Sequence, residues 1–512
     1  MRWLTITTFL PLAGVPILLA GRGMRDDLAR GIALFVAAAT FVVSLGIYGR
    51  FDAAEAGFQM VERATWIRSL GISYALGVDG VSLWMILLTT FLFPVAILAS
   101  WKVDKDVRLY MTSMLVLECG VLGTFVALDL LLFFVFFEAI LVPMYLIIGG
   151  WGGERRVYAA VKFFLYTMAG SAFLLAAILY LYARSGGLEG GATFYLPDLM
   201  QLELPVGTAR WLFLAFLVAF AVKVPIFPLH TWLPDAHTEA PTAGSVILAG
   251  VLLKVGAYGL IRFNLALFPE ASRHFSDLIS VLAVIGIVYG AVVALIQTDI
   301  KRLVAYSSVS HLGFVVLGVF AFTNQGVTGG VLQMVNHGLA TGALFLLVGM
   351  VYERTHTRDL DRMGGLASVM PWLSGAFLFA VFASAGLPGL NNFVGEFLVI
   401  VGSFSANMAF GAVASVAVVL GAIYLLWSYQ RMAYGPVREE HRSLPDLTVR
   451  EVAVLAPVLA LLLVFGVYPK VLIDRIEPTT EAVVRHVDPD HGVDVGPPRT
   501  VAAAIPGEEA AP

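Results

Sequence analysis

Charge is scarce in this chain: 13% of its 512 residues are Asp, Glu, Lys or Arg, while 59% are hydrophobic. A typical soluble domain is about 25% charged, so the balance excludes an ordinary water-soluble globule and points to a membrane protein. The net charge of -4 offers no basic face for nucleic acid. Cysteine is almost missing, and Cys119 alone excludes an internal disulfide and a four-cysteine iron–sulfur site. No Gly-x-Gly-x-x-Gly follows a strand-like run, and no Walker-type Gly-Lys-Ser/Thr occurs. No nucleotide chemistry is therefore expected in the chain, and any redox or energy source it works with lies elsewhere.

Long apolar runs are plentiful. About 20 apolar residues cross a bilayer core. By that measure spans are expected near 3–20, 31–49, 81–100, 109–128, 130–150, 157–181, 211–230, 242–263, 277–296, 303–322, 328–351, 371–404, 409–427 and 449–468. This is an all-α polytopic membrane protein of about fourteen transmembrane helices. The first run is expected to be a retained helix, because Pro11 and Pro16 interrupt it and only Arg2 precedes it as a basic residue. Loops on one side carry Arg22, Arg25, Arg30, Lys102, Lys105, Arg108, Arg155, Arg156, Lys301, Arg302, Arg354, Arg358, Arg362, Arg431, Arg438, Arg442 and Arg450. Short loops opposite carry only Arg262 and Arg273, so the first side reads as cytoplasmic and both termini as outside. The polar, Pro/Gly/Ala-rich tail 470–512 is expected to be disordered.

Two of these runs contain helix breakers. The first passes from Lys223 into Pro225, Pro228, Pro234 and Pro241; the second contains Gly386-Leu387-Pro388-Gly389. Proline removes a backbone donor, and broken helices at membrane depth survive only inside protein or beside a watery cavity. Each break falls in the fourth of five spans, within 109–263 and 275–427. Five is odd, so the second set enters the membrane from the opposite side. The segments 1–108, 109–263, 275–427, 449–468 and 470–512 therefore read as N-terminal helices, two inverted repeats, a last helix and a tail.

Glu138, Lys223, Lys254 and Glu396 lie well inside spans, and Glu118 is a fifth in less informative surroundings. Such a residue costs about 2.5–3.5 kcal/mol at a helix centre on insertion scales, so this series marks a proton path. Two unit charges about 4 Å apart attract by about 4 kcal/mol at an effective dielectric near 20, enough to decide whether a lysine keeps its proton. The plainer alternatives are a static buried ion pair for Glu138 and Lys223, and a snorkelling lysine at Lys254. His311 follows Ser307 on one helical face, and His337 follows Gln333 and Asn336. Relay and simple helix–helix hydrogen bonding are both open to these histidines. His230, Asp235 and His237 flank the first break, where capping roles compete with proton transfer.

Lys223-Val224-Pro225 through Leu233-Pro234-Asp235-Ala236-His237-Thr238-Glu239-Ala240-Pro241, followed by Leu253-Lys254, resembles the antiporter-like subunits of respiratory complex I. Phe137-Glu138 with Leu141-Val142-Pro143, and Tyr306-Ser307-Ser308 with Ser310-His311-Leu312-Gly313, resemble the same family. Glu396 matches the member that carries glutamate, not lysine, at the second break. The resemblance implies that Glu138 and Lys223 are the paired uptake site, Lys254 the central relay and Glu396 the distal site, with His311 and His337 between them. It also implies NADH, FMN, iron–sulfur clusters and quinone in other subunits, two homologous antiporter-like neighbours, and a bacterial inner membrane. A subunit of a multisubunit sodium/proton antiporter or a membrane-bound hydrogenase is the alternative within the same module.

Overall fold

The computed structural model describes residues 2–21, 23–188 and 190–489. Thirteen helical segments are long and apolar enough to cross a membrane, from Trp3–Ala20 to Val449–Val467. A fourteenth crossing is made in two pieces, Pro371–Ser384 and Asn391–Ala406. Three helices form the interior. Thr242–Leu265 and Asn324–Thr355 are wholly buried across their most apolar stretch, and Ile300–Phe320 nearly so. Peripheral helices such as Asp26–Tyr48, Met408–Ala433 and Val449–Val467 keep apolar side chains on the outside, as expected of surfaces that face hydrocarbon.

Glycine lets the central helices approach. A Cβ on Gly338 would meet the Gly250 carbonyl at 2.7 Å, and one on Gly256 would meet the Phe220 carbonyl at 2.7 Å and Lys223 Cβ at 2.8 Å. Small residues at helix crossings bring backbones close enough for side chains beyond them to meet.

Both interrupted helices end in the same way. Val206–Lys223 stops where Ile226 N donates five residues back to the Ala221 carbonyl (2.8 Å), and the Trp232 indole donates to the Val222 carbonyl (2.9 Å). Pro371–Ser384 stops where Leu387 N donates five residues back to Phe382 (3.1 Å), with Gly386 at φ +74°. These bonds satisfy the carbonyls that proline and glycine leave open.

Three features depart from the sequence reading. The segment 50–80 holds an antiparallel hairpin, Gln59–Ile67 with Ile72–Val78, whose Glu62 carboxylate accepts from Leu4 N (2.9 Å) and Thr5 N (3.1 Å) and so caps the first helix. The expected disorder from 470 is corrected over Lys470–Val487, which is a helix; residues 490–512 lie outside the described residues. Its Leu472, Ile476, Thr480 and Val484 recur at helical spacing on a buried face, and Thr480 meets Thr328 at 2.7 Å. Arg262, counted above with the loop cations, is buried on the inner helix and pairs with Asp79 at 2.6 Å.

Candidate functional site

The buried charges fall into two groups. At the first break, Lys223 ends its helix buried between the rings of Phe137 (4.7 Å) and Phe163 (5.8 Å). Glu138 is only half-buried, and its Oε1 has no hydrogen-bond partner. Among the described residues no ion pair closes between Glu138 and Lys223, so the static-bridge alternative finds no bridge here. Phe133 and Phe137 are fully buried beside Glu138, but the acid itself is not sealed in a dry wall.

The second group is two adjoining pairs. Lys254 lies on Leu253–Gly259 between two wider, π-helical turns, Leu248–Leu252 and Leu260–Leu265. Its ammonium donates to the Ala249 carbonyl and meets His337 Nδ1 at 2.7 Å. The close crossing at Gly250 and Gly338 puts these side chains in reach. Lys254 is completely buried, which removes the snorkelling alternative. The His337 and His311 rings are 5.7 Å apart, and His311 Nδ1 stands 2.8 Å from Glu396 Oε1. Gln333 Nε2 donates to the same oxygen at 3.0 Å, and the Tyr424 hydroxyl reaches His311 Nε2 at 3.4 Å. Asn336 and Asn391 exchange side-chain-to-carbonyl bonds of 2.7 and 3.0 Å, locking the second half-helix against the central one. Lys254–His337 and His311–Glu396 are thus two buried bonded pairs on three helices and a half-helix, and their imidazoles adjoin without a hydrogen bond, His337 Nε2 having no partner among the described residues.

Glu118 stands apart: it is fully buried, and neither carboxyl oxygen has a partner. Asp235 is held at the surface of the bundle by Lys162 (2.7 Å) and Arg302 (3.7 Å). His230 packs against Phe227 and Tyr289, and His237 stacks on Phe345 with ring centroids 4.6 Å apart; neither imidazole has a hydrogen-bond partner among the described residues. Sequence reasoning missed Tyr424 and the Asp79–Arg262 pair with its Tyr258 (3.1 Å) neighbour. A tyrosine in an apolar run gives no pattern, and Asp79 sits just outside a span, where acids are unremarkable.

Together, the interrupted helices and the buried Lys–His–His–Glu line define an antiporter-like membrane subunit. A family model described as NADH:quinone oxidoreductase/Mrp antiporter, transmembrane, matches residues 127–421, and one for the amino terminus of NADH-ubiquinone oxidoreductase chain 4 matches 54–128. NADH-quinone oxidoreductase subunit M of Rhodobacter capsulatus is 46% identical over 96% of this chain and 98% of its own length. NADH-ubiquinone oxidoreductase chain 4 of Marchantia polymorpha is 42% identical over 93% of this chain and 96% of its own. A chain of respiratory complex I from Thermus thermophilus superposes with a TM-score of 0.86 at 34% identity, over 94% of this chain and 99% of that one. A chain of the Mrp complex from Dietzia shares the fold, with a TM-score of 0.79 at 24% identity, over 95% of this chain and 51% of that one. The chain belongs to the subunit M family of NADH-quinone oxidoreductases.

Proposed function

We propose that this chain moves protons across the membrane as a subunit of an NADH–quinone oxidoreductase, with the charge of its buried residues driven by redox chemistry in other subunits. The observation that carries this reading is the pair of buried couples, Lys254–His337 and His311–Glu396, with their imidazole rings 5.7 Å apart. An imidazole can accept on one nitrogen and donate from the other, so two adjacent histidines can pass a proton between a lysine and a carboxylate. Glu138 and Lys223 form the uptake end: the Lys223 ammonium lies over the ring of Phe137, the residue beside Glu138, with no bond to break, so a change of charge on one shifts proton affinity at the other. Gly256 packs on Lys223, which sets the uptake lysine beside the helix of the central one.

In this reading 109–263 and 275–427 are inverted repeats, both termini face the outside of a bacterial inner membrane, and Glu118 has a minor part. NADH, FMN, iron–sulfur clusters and quinone are bound by other subunits, and two homologous antiporter-like subunits are neighbours. The test is NADH-driven proton pumping in native membranes carrying Glu138→Ala or Lys223→Ala. Assembled complex that pumps at the wild-type level overturns the reading. Sodium-dependent transport without NADH would favour the antiporter alternative.

A further inference from the structure

One buried charged pair lies outside the proposed path. Arg262 is on the inner helix Thr242–Leu265, about two turns past Lys254. Its guanidinium donates to Asp79 Oδ2 at 2.6 Å and to the Ser82 hydroxyl at 3.4 Å, and both charges are buried. Asp79 caps the helix Gly80–Ala99, whose far end leads to Lys102, so the pair sits at the end of the bundle opposite that lysine. The other carboxylate oxygen, Oδ1, accepts from Val81 N (3.1 Å), Ser82 N (2.9 Å) and the Ser82 hydroxyl (2.7 Å). A buried ion pair holds only when its remaining acceptors are filled, and these are.

Tyr258 stands between the pair and Lys254 on one helical face. Its hydroxyl donates to the Phe125 carbonyl (2.9 Å) and accepts from Arg262 Nε (3.1 Å). A relay must take a proton on one side and release one on the other. Here the tyrosine proton is directed at a peptide carbonyl, and the oxygen faces a guanidinium that has no acceptor and never gives up a proton. The pair is also ordered: Arg262 Nε meets Tyr258 on the side of Lys254, and the carboxylate lies beyond it. A proton leaving Lys254 along its own helix would therefore meet fixed positive charge first, the arrangement by which an arginine bars protons from a pore. The Phe58 ring covers the same guanidinium at 4.7 Å. His337, by contrast, offers a ring nitrogen 2.7 Å from the Lys254 ammonium.

We propose that Arg262, held by Asp79, is a proton stop. It closes the route from Lys254 toward that end of the bundle and leaves His337 as the onward partner. The proposal rests on the reading of this chain as a proton pump. Arg262 is a positioning residue in it: it transfers no proton and sets where one cannot go.

The test uses the assembled complex in sealed vesicles and measures NADH oxidation, protons moved per NADH, and proton leak down an imposed gradient without NADH. Arg262→Gln combined with Asp79→Asn keeps an amide cross-link between the two helices and removes both charges. It should keep NADH oxidation and lower the protons moved per NADH. Its proton leak should rise by roughly tenfold, a small part of the barrier that a fixed unit charge a few ångströms away imposes. Sodium leak should not change. Arg262→Lys keeps the ion pair but can release its proton, so it should leak several-fold, and it decides the matter where the double variant does not assemble. Tyr258→Phe should leave the leak unchanged. Wild-type proton leak in the assembled charge variants overturns the proposal and leaves the pump reading intact. An equal rise in sodium leak, the mark of loosened packing, overturns it as well. Lost pumping without leak in Tyr258→Phe overturns it too, since the network would then be a relay. Wild-type pumping by Lys223→Ala fails the pump reading itself, and the proposal with it.

Discussion

The two interrupted helices are built by the same backbone device and carry their charges on opposite sides of it. Ile226 and Leu387 each donate to a carbonyl five residues back, and Leu229 and Leu390 each to a carbonyl three back. Lys223 lies three residues before Ile226; the residue three before Leu387 is Ser384, buried with no partner for its hydroxyl. Glu396 lies nine residues after Leu387; nine after Ile226 is Asp235, paired with Lys162 and Arg302. One break therefore presents a lone cation from its first half, and the other a hydrogen-bonded anion from its second. In the proposed path the uptake end has one acid and one base with no bond between them, whereas at the distal end Glu396 Oε1 is bonded to His311 and accepts from Gln333, with the Tyr424 hydroxyl on the far nitrogen of His311. Redundancy, not burial, separates the two ends.

That contrast can be broken by mutation. Lys223→Ala and Glu138→Ala should have the largest effect, lowering NADH-driven pumping by about tenfold or more, the scale of losing a proton-transfer group. Lys254→Ala should cost several-fold, because His337 loses its bonded neighbour while the His311–Glu396 pair stays intact; proton flux in reconstituted vesicles reads this. Glu396→Gln keeps the hydrogen-bonding shape and should reduce flux by about twofold, with Glu396→Gln plus His311→Ala falling short of the summed single effects, as for groups in one network. Asp235→Asn, at the position matching Glu396, should change flux less than Glu396→Gln; a larger effect would overturn the distinction drawn between the breaks. Gly386→Ala should act mainly on stability. Its φ of +74° costs a non-glycine residue about 1–2 kcal/mol, and its Cβ would lie 3.0 Å from Glu396 Oε2. A lowered thermal midpoint of the purified complex with pumping retained is the expected result.

Much of this was legible in the sequence because membranes leave few choices. An apolar run of about 20 residues has one stable fate, so the spans could be placed, and Pro225, Pro228, Gly386 and Pro388 marked where two of them stop. The buried charges were legible for the same reason: lysine and glutamate have no cheap place in hydrocarbon. The joins between them were not. Nothing local says that Gly250 meets Gly338, and that crossing is what sets Lys254 on His337. Arg262 looked like a loop cation because its partner, Asp79, is far away in sequence. The Lys470–Val487 helix was hidden by Pro478 and its many polar residues; its apolar face acquires meaning only against the bundle.

The wide turn at Leu248–Leu252 has a consequence for how charge can dwell at the centre of the molecule. It places the Ala249 carbonyl under the Lys254 ammonium, and the other neighbour of that ammonium is an imidazole. Neither is a counter-ion. A carboxylate at this point would make a deep trap, while a peptide dipole and an imidazole make a shallower resting place. Charge held this way is stabilised on arrival and is free to leave in either direction, so the direction of travel must be imposed by the two ends.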